Sequence, residues 1–158
     1  MSRRYSPACP ATLRATAIRN AHVAALDGLL FMMDPQHAAA ADHAPTDSAA
    51  LDRLRRFGGG KLLRDMIALF LVAAPERLAA ARSAMAAANL SGTELALHSL
   101  KSSSAQLGAM RMHHLCDEGE RRTRDGSLVG VSAIIDELEQ EYARVREWLT
   151  SARDEGTS

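Results

Sequence analysis

Apolar residues recur along this chain at helical spacing, and the recurrence is sharp only after the first third. From Lys61 to Ala88, Leu63, Ile67, Phe70, Ala74, Leu78, Ala81 and Met85 follow one another at steps of four, three, four, four, three and four. That is a single stripe on a 3.6-residue helix. Pro75 falls inside it, and because the stripe stays in phase beyond the proline, a kink rather than an end is expected there. Ahead of it, "DSAALDRLRRFGGG" predicts a short helix capped by Asp47 or Ser48 and closed by three glycines able to take positive φ. Asn89 is the expected stop of the long helix.

A third element opens at Ser91-Gly92-Thr93-Glu94. A serine cap followed three residues later by a glutamate makes the reciprocal capping arrangement, and Gly108 closes the helix. The fourth, from about Met110 to Asp125, gathers Met112, Leu115, Cys116 and Gly119 on one face and stops at Gly126. A fifth, from near Leu128 to Ala152, carries Val131, Ile135, Leu138, Tyr142, Val145 and Leu149 at alternating steps of four and three. Strand alternation, internal repeats, a Walker loop and a dinucleotide fingerprint are all missing. Four amphipathic helices with short connections predict an all-α fold, an antiparallel up-down four-helix bundle with a short additional N-terminal helix.

The bundle domain is assigned to residues 47–158, and residues 1–46 read as an N-terminal extension or linker, partly helical or disordered. Leu13, Ala17, Ala21, Ala24 and Leu26 give at most a weakly amphipathic helix, and "DPQHAAAADHAPTDS" reads as a connector. Arg3, Arg4, Arg14 and Arg19 are not followed by the uninterrupted apolar stretch of ~7–15 residues that a secretory leader needs. The run Leu29 to Met33 is far short of the ~20 residues that span a bilayer. Neither a leader nor a membrane contact is expected.

Composition narrows the classes further. A chain of 158 residues suffices for one domain that buries roughly 68–70% of its unfolded surface, so no metal or disulfide is needed to hold it. Lys and Arg number 19 against 19 Asp and Glu, which argues against a nucleic-acid partner. The two cysteines, Cys9 and Cys116, are far apart, so reduced thiols and a cytoplasmic location are expected.

Candidate chemistry lies in the third helix, Glu94 to Met110. On a helical wheel Ala96, Leu100, Ser103 and Leu107 form its core face, and His98 stands opposite. Its solvent stripe is shared with Lys101, Ser102 and Ala105, so the ring is open to another protein. Ser103 is expected to return its hydroxyl to a carbonyl one turn back. An exposed imidazole, with a reference pKa of roughly 6.5, is largely neutral and nucleophilic at pH 7. A lysine one turn on supplies positive charge where a phosphoryl group would collect negative charge. The pair suits reversible phosphoryl capture. It does not suit hydrolysis, because no carboxylate pair, serine triad or metal cage accompanies it. His113, His114 and Cys116 are zinc-ligand types, but adjacent histidines diverge by about 100° on a helix and Cys116 falls in the core stripe. Glu120, amid Arg121, Arg122 and Arg124, reads from its neighbours as a surface ion-pair partner worth about 0–1 kcal/mol.

The run "HSLKSSSAQLGA", His98 to Ala109, resembles the histidine-containing phosphotransfer (HPt) domain pattern His-x-Leu-Lys-Gly-Ser-Ser-x-x-Leu-Gly-Ala. It matches at His98, Leu100, Lys101, Ser103, Ser104, Leu107, Gly108 and Ala109. With "LRRFGGGKLLRDMIALFLVAAPERL" upstream and "LCDEGE" downstream, the resemblance covers about Asp47 to Leu149. It implies that Nε2 of His98 takes a phosphoryl group from an aspartate on a response-regulator receiver domain and passes it to another. It further implies a phosphocarrier without catalytic activity or cofactor of its own, with Mg²⁺ held by the receiver and a hybrid sensor kinase in the same relay. Lys101 would neutralise phosphoryl charge. Glu120, where the family often places a polar side chain, would accept from Nδ1 and leave Nε2 free. Ser102 and Ala105 would centre the receiver contact, with Glu94, Arg64 and Arg111 around them, on a monomer.

Two positions depart from the pattern. Ser102 replaces the family glycine, and Gly119 stands where a leucine is usual, which implies a hole and a helix cost of up to about 1 kcal/mol relative to alanine. The competing readings are a helical adaptor that binds a receiver or kinase without accepting phosphate, and a bundle carrying zinc at His113 and His114.

Overall fold

Four helices make up the described part of the computed structural model, residues 44–155: α1 (Ser48–Ala86), α2 (Leu90–Gln106), α3 (Met110–Arg124) and α4 (Val131–Glu155). The weak N-terminal helix, Cys9 and all but the last residues of the extension lie outside the described residues. The two helices expected before Asn89 are the two limbs of α1, which bends where Gly58 and Gly59 leave helical geometry (φ −137° and 69°). Asp47 is the cap, its carboxylate accepting from the Ala49 amide at 2.9 Å. Its own amide donates to Gly108 O at 2.7 Å, tying the start of α1 to the α2–α3 turn. Gly108 has a φ of +75°, and a Cβ there would overlap the Asp47 carbonyl. No other residue fits that corner.

The long limb of α1 runs through Pro75 with helical dihedrals. A proline offers no N–H, so the carbonyl of Leu71, four residues back, loses its helical donor. Tyr142 of α4 supplies the replacement, its hydroxyl donating to Leu71 O at 2.9 Å. The expected stripe from Leu63 to Ala81 is buried, and Met85 packs at its edge.

Between α1 and α2 the structure corrects the sequence reading. Asn89 caps α2 and does not merely end α1, accepting from the Gly92 amide at 2.9 Å while α1 closes through Ala87 and Ala88. An asparagine cap is at least as strong as a serine, so the helix begins before Ser91 and Glu94 is released from the capping role. The core face of α2 is also rotated. Leu97 and Ser104 are fully buried with Ala96, Leu100 and Leu107, whereas Ser103 is half-buried. The Ser103 hydroxyl does return to backbone, at Ser99 O and Leu100 O, and accepts from Arg77 of α1.

Met112, Leu115, Cys116 and Gly119 of α3 are buried as the spacing predicts, and so are Val131, Ile135, Leu138, Val145 and Leu149 of α4, while Tyr142 and Trp148 are partly buried against the core. Burial pushes the Cys116 thiol far up, so it packs as an inert side chain. Each helix contacts two neighbours in a closed ring, α1 with α2 and α4, α3 with α2 and α4. Short connections make successive helices antiparallel, the four-helix arrangement expected. Among the described residues there is no strand, and no helix is long and apolar enough to cross a membrane.

Candidate functional site

The tight α2–α3 turn sets a simple register. Residues equally far along the chain from Ala109 face each other across the hairpin, and three polar pairs do so in succession: Lys101 with Asp117, His98 with Glu120, and Glu94 with Arg124. His98 occupies the middle level. Its side chain is 57% exposed, whereas that of Glu120 is 5% exposed, so the ring stands at the surface on a carboxylate set beneath it. Nδ1 lies 3.1 Å from Glu120 Oε1. An ionised carboxylate can only accept, so Nδ1 carries the hydrogen, which in the neutral tautomer leaves the lone pair on Nε2.

Burial alone would raise the Glu120 carboxyl. The Lys101 ammonium first, and then the His98 ring N–H, outweigh that and hold it below the usual carboxylate range. Lys101 Nζ is 2.5 Å from Glu120 Oε2 and 3.1 Å from Asp117 Oδ1, and its side chain is only 19% exposed. Its hydrogen bond to Glu120 raises its own pKa. Arg124, one turn after Glu120 on α3, bonds the same Oε1 that faces the imidazole and reaches Glu94 Oε1 at 3.4 Å.

Gly119 leaves no hole. A Cβ there would stand 2.8 Å from Leu97 Cδ1 and 3.4 Å from Ile134 Cγ2. Leu97 of α2 therefore fills the space a leucine at 119 would claim, and the missing side chain lets α3 approach α2 beside Glu120. The Ser102 hydroxyl is turned back to His98 O at 3.2 Å, on an exposed stripe with half-buried Ala105.

Not every residue singled out from the sequence reaches this cluster. Glu94 joins it through Arg124. Arg111 points to the other side of α3, toward Glu137 at 3.1 Å and Glu141 at 3.7 Å on α4. Arg64 is half-buried on α1, the helix that borders the other flank of α2 through Arg77 and Ser103. His113 donates from Nδ1 to Lys101 O at 3.4 Å, and its ring meets that of His114 edge-on. Among the described residues no cluster of three metal-ligating side chains forms. Sequence reasoning missed Arg124, Asp117 and the exposed Leu95 one turn before His98. Reflection about the α2–α3 turn would have found the first two.

A family model described as the Hpt domain matches residues 65–148. The crystal structure of histidine-containing phosphotransfer protein B (HptB) from Pseudomonas aeruginosa PAO1 is similar at a TM-score of 0.68 and 25% identity, over 72% of this chain and 98% of that one. No curated protein matches. With more than half of its length inside the family model, and a solved phosphotransfer protein sharing its fold almost end to end, the chain belongs to the Hpt domain family, the histidine-containing phosphotransfer proteins of two-component phosphorelays.

Proposed function

We propose that His98 is the phosphoacceptor, taking a phosphoryl group from a receiver-domain aspartate and giving it to another. The observation that carries this is the exposed ring whose Nδ1 rests on a buried, ionised carboxylate 3.1 Å away. The Nε2 lone pair attacks phosphorus, the N–P bond forms, and the P–O bond to the aspartate breaks with its electron pair leaving on the carboxylate. Positive charge then spreads over the ring while the proton stays on Nδ1, where Glu120 offsets it. The same cationic ring is a good leaving group, so transfer onward is as easy as capture. Lys101 fixes Glu120 from the other oxygen.

On this reading the chain is a carrier with no catalytic activity of its own. The acidic cluster and Mg²⁺ belong to the receiver, a hybrid sensor kinase stands upstream, and the carrier works as a cytoplasmic monomer. The test is labelling by a phosphorylated receiver. Wild type gains one acid-labile, alkali-stable phosphate, and His98→Gln keeps its helical circular dichroism but gains none. Continued acid-labile phosphate on that variant refutes the assignment, and a wild type that binds the receiver unlabelled makes it an adaptor.

A further inference from the structure

Two cations flank the imidazole, one level to either side along the hairpin, and they differ in freedom. Lys101 is enclosed, with carboxylates as both partners. Glu120 Oε2 is buried and has Lys101 as its only close polar neighbour among the described residues. Drawing Lys101 away would strand that oxygen. Arg124 is 57% exposed. It shares Glu120 Oε1 with the ring N–H, and its other anchor is the partly exposed Glu94 at a long 3.4 Å. A guanidinium carries five donors in a fork suited to phosphoryl oxygens.

Freedom to move decides which cation can respond. Around His98 stand Glu94, Asp117 and Glu120 against Lys101 and Arg124, with Arg121 also acting on Asp117, so no cation stands idle. A phosphoryl group on Nε2 places between about one and a half and two negative charges on its oxygens, against the single positive charge of a ring that keeps its Nδ1 proton. We propose that Arg124, and not Lys101, is the cation that meets the phosphoryl group on His98, and that Glu94 competes with the phosphoryl group for it. Arg124 keeps Glu120 and exchanges Glu94 for phosphoryl oxygens, so the cross-hairpin pair is a reserve that phosphorylation draws on. This rests on His98 as the acceptor.

The experiment uses full-length protein phosphorylated with phosphoramidate, a small donor that needs no receiver, and follows the second ionisation of the phosphoryl group by ³¹P NMR. Removing the guanidinium in Arg124→Gln raises that pKa by about half a unit, a roughly threefold change in the ionisation constant, as expected for an exposed ion pair. Glu94→Gln lowers it, Arg124→Lys restores it in part, and Lys101→Gln moves it less than Arg124→Gln does. Circular dichroism checks each fold. An unchanged value in Arg124→Gln, or a larger shift in Lys101→Gln, overturns the inference while leaving His98 as the acceptor. A phosphorus signal that persists in His98→Gln, or a wild type that takes no phosphate, overturns the acceptor reading itself.

Discussion

Three glutamates are buried in this bundle, and two of them, Glu120 and Glu141, are treated alike until one contact separates them. Glu141 on α4 is 2% exposed and is held by Arg144, three residues on, at 2.9 Å, and by Arg111 of α3 at 3.7 Å. Glu120 on α3 is held by Arg124, four residues on, and by Lys101 of α2. Each carboxylate thus has a cation from its own helix and one from a neighbour, the condition under which burying a charge is tolerable. Glu120 alone of the two also bears an imidazole. That partner stands at the surface, its side chain 57% exposed. On the proposed reading, a buried, paired carboxylate is not a site by itself; the exposed imidazole resting on it makes it one.

The sharpest way to break this comparison is to remove each carboxylate in turn. Glu120→Ala should slow phosphoryl transfer about ten- to a hundredfold, the usual cost of losing a group that orients a reacting histidine. Glu141→Ala should leave transfer unchanged and lower stability by about 1 kcal/mol, measured by urea unfolding, because half-buried Arg111 loses one of its two carboxylate partners. Equal kinetic losses would erase the distinction. Next in size is Gly119→Ala, which drives a methyl against Leu97. It should cost about 1–3 kcal/mol by overpacking and slow transfer as well, since any relief parts α3 from α2 beside Glu120. A stable variant with normal transfer would show that the close approach is incidental.

The smallest effect is on acid stability. Burial would raise the carboxyls of Glu120 and Asp117, but both sit below their ordinary values because Lys101 outweighs it. A carboxyl depressed in the folded state stabilises it fully above the unfolded pKa, about 4, and loses that contribution as pH falls through the lower folded value. Glu120→Gln should therefore flatten the acid limb of the stability curve below about pH 4.5 and be measured by thermal melts across that range. An unaltered limb would contradict the charge balance drawn around His98.

Much of this arrangement was readable from the chain. The stripes of α1, α3 and α4 name their buried residues because the helix period leaves little choice, and His98 falls opposite the α2 core on the wheel. The cap of α2 was not readable, since Asn89 and Ser91 both qualify and only the length of the turn from α1 decides. The rotation that buries Ser104 instead of Ser103 follows from α2 being wedged between α1 and α3, a tertiary fact. The supposed hole at Gly119 vanished because Leu97, a residue 22 positions away, fills it. Arg124 was passed over because a long cation on a crowded arginine run shows no preference until the hairpin register brings Glu94 and Glu120 to it. Tyr142 is the reverse case: Pro75 announces an orphaned carbonyl, but nothing local says which helix answers.

The most direct test of the central claim is to locate the phosphorus. In ¹⁵N-labelled protein phosphorylated by a receiver, the phosphorus–nitrogen coupling identifies both the residue and the ring nitrogen. The account predicts one phosphoryl group, on Nε2 of His98, with the proton retained on Nδ1. Phosphorus on Nδ1 of that ring, or on His113 or His114, would contradict it.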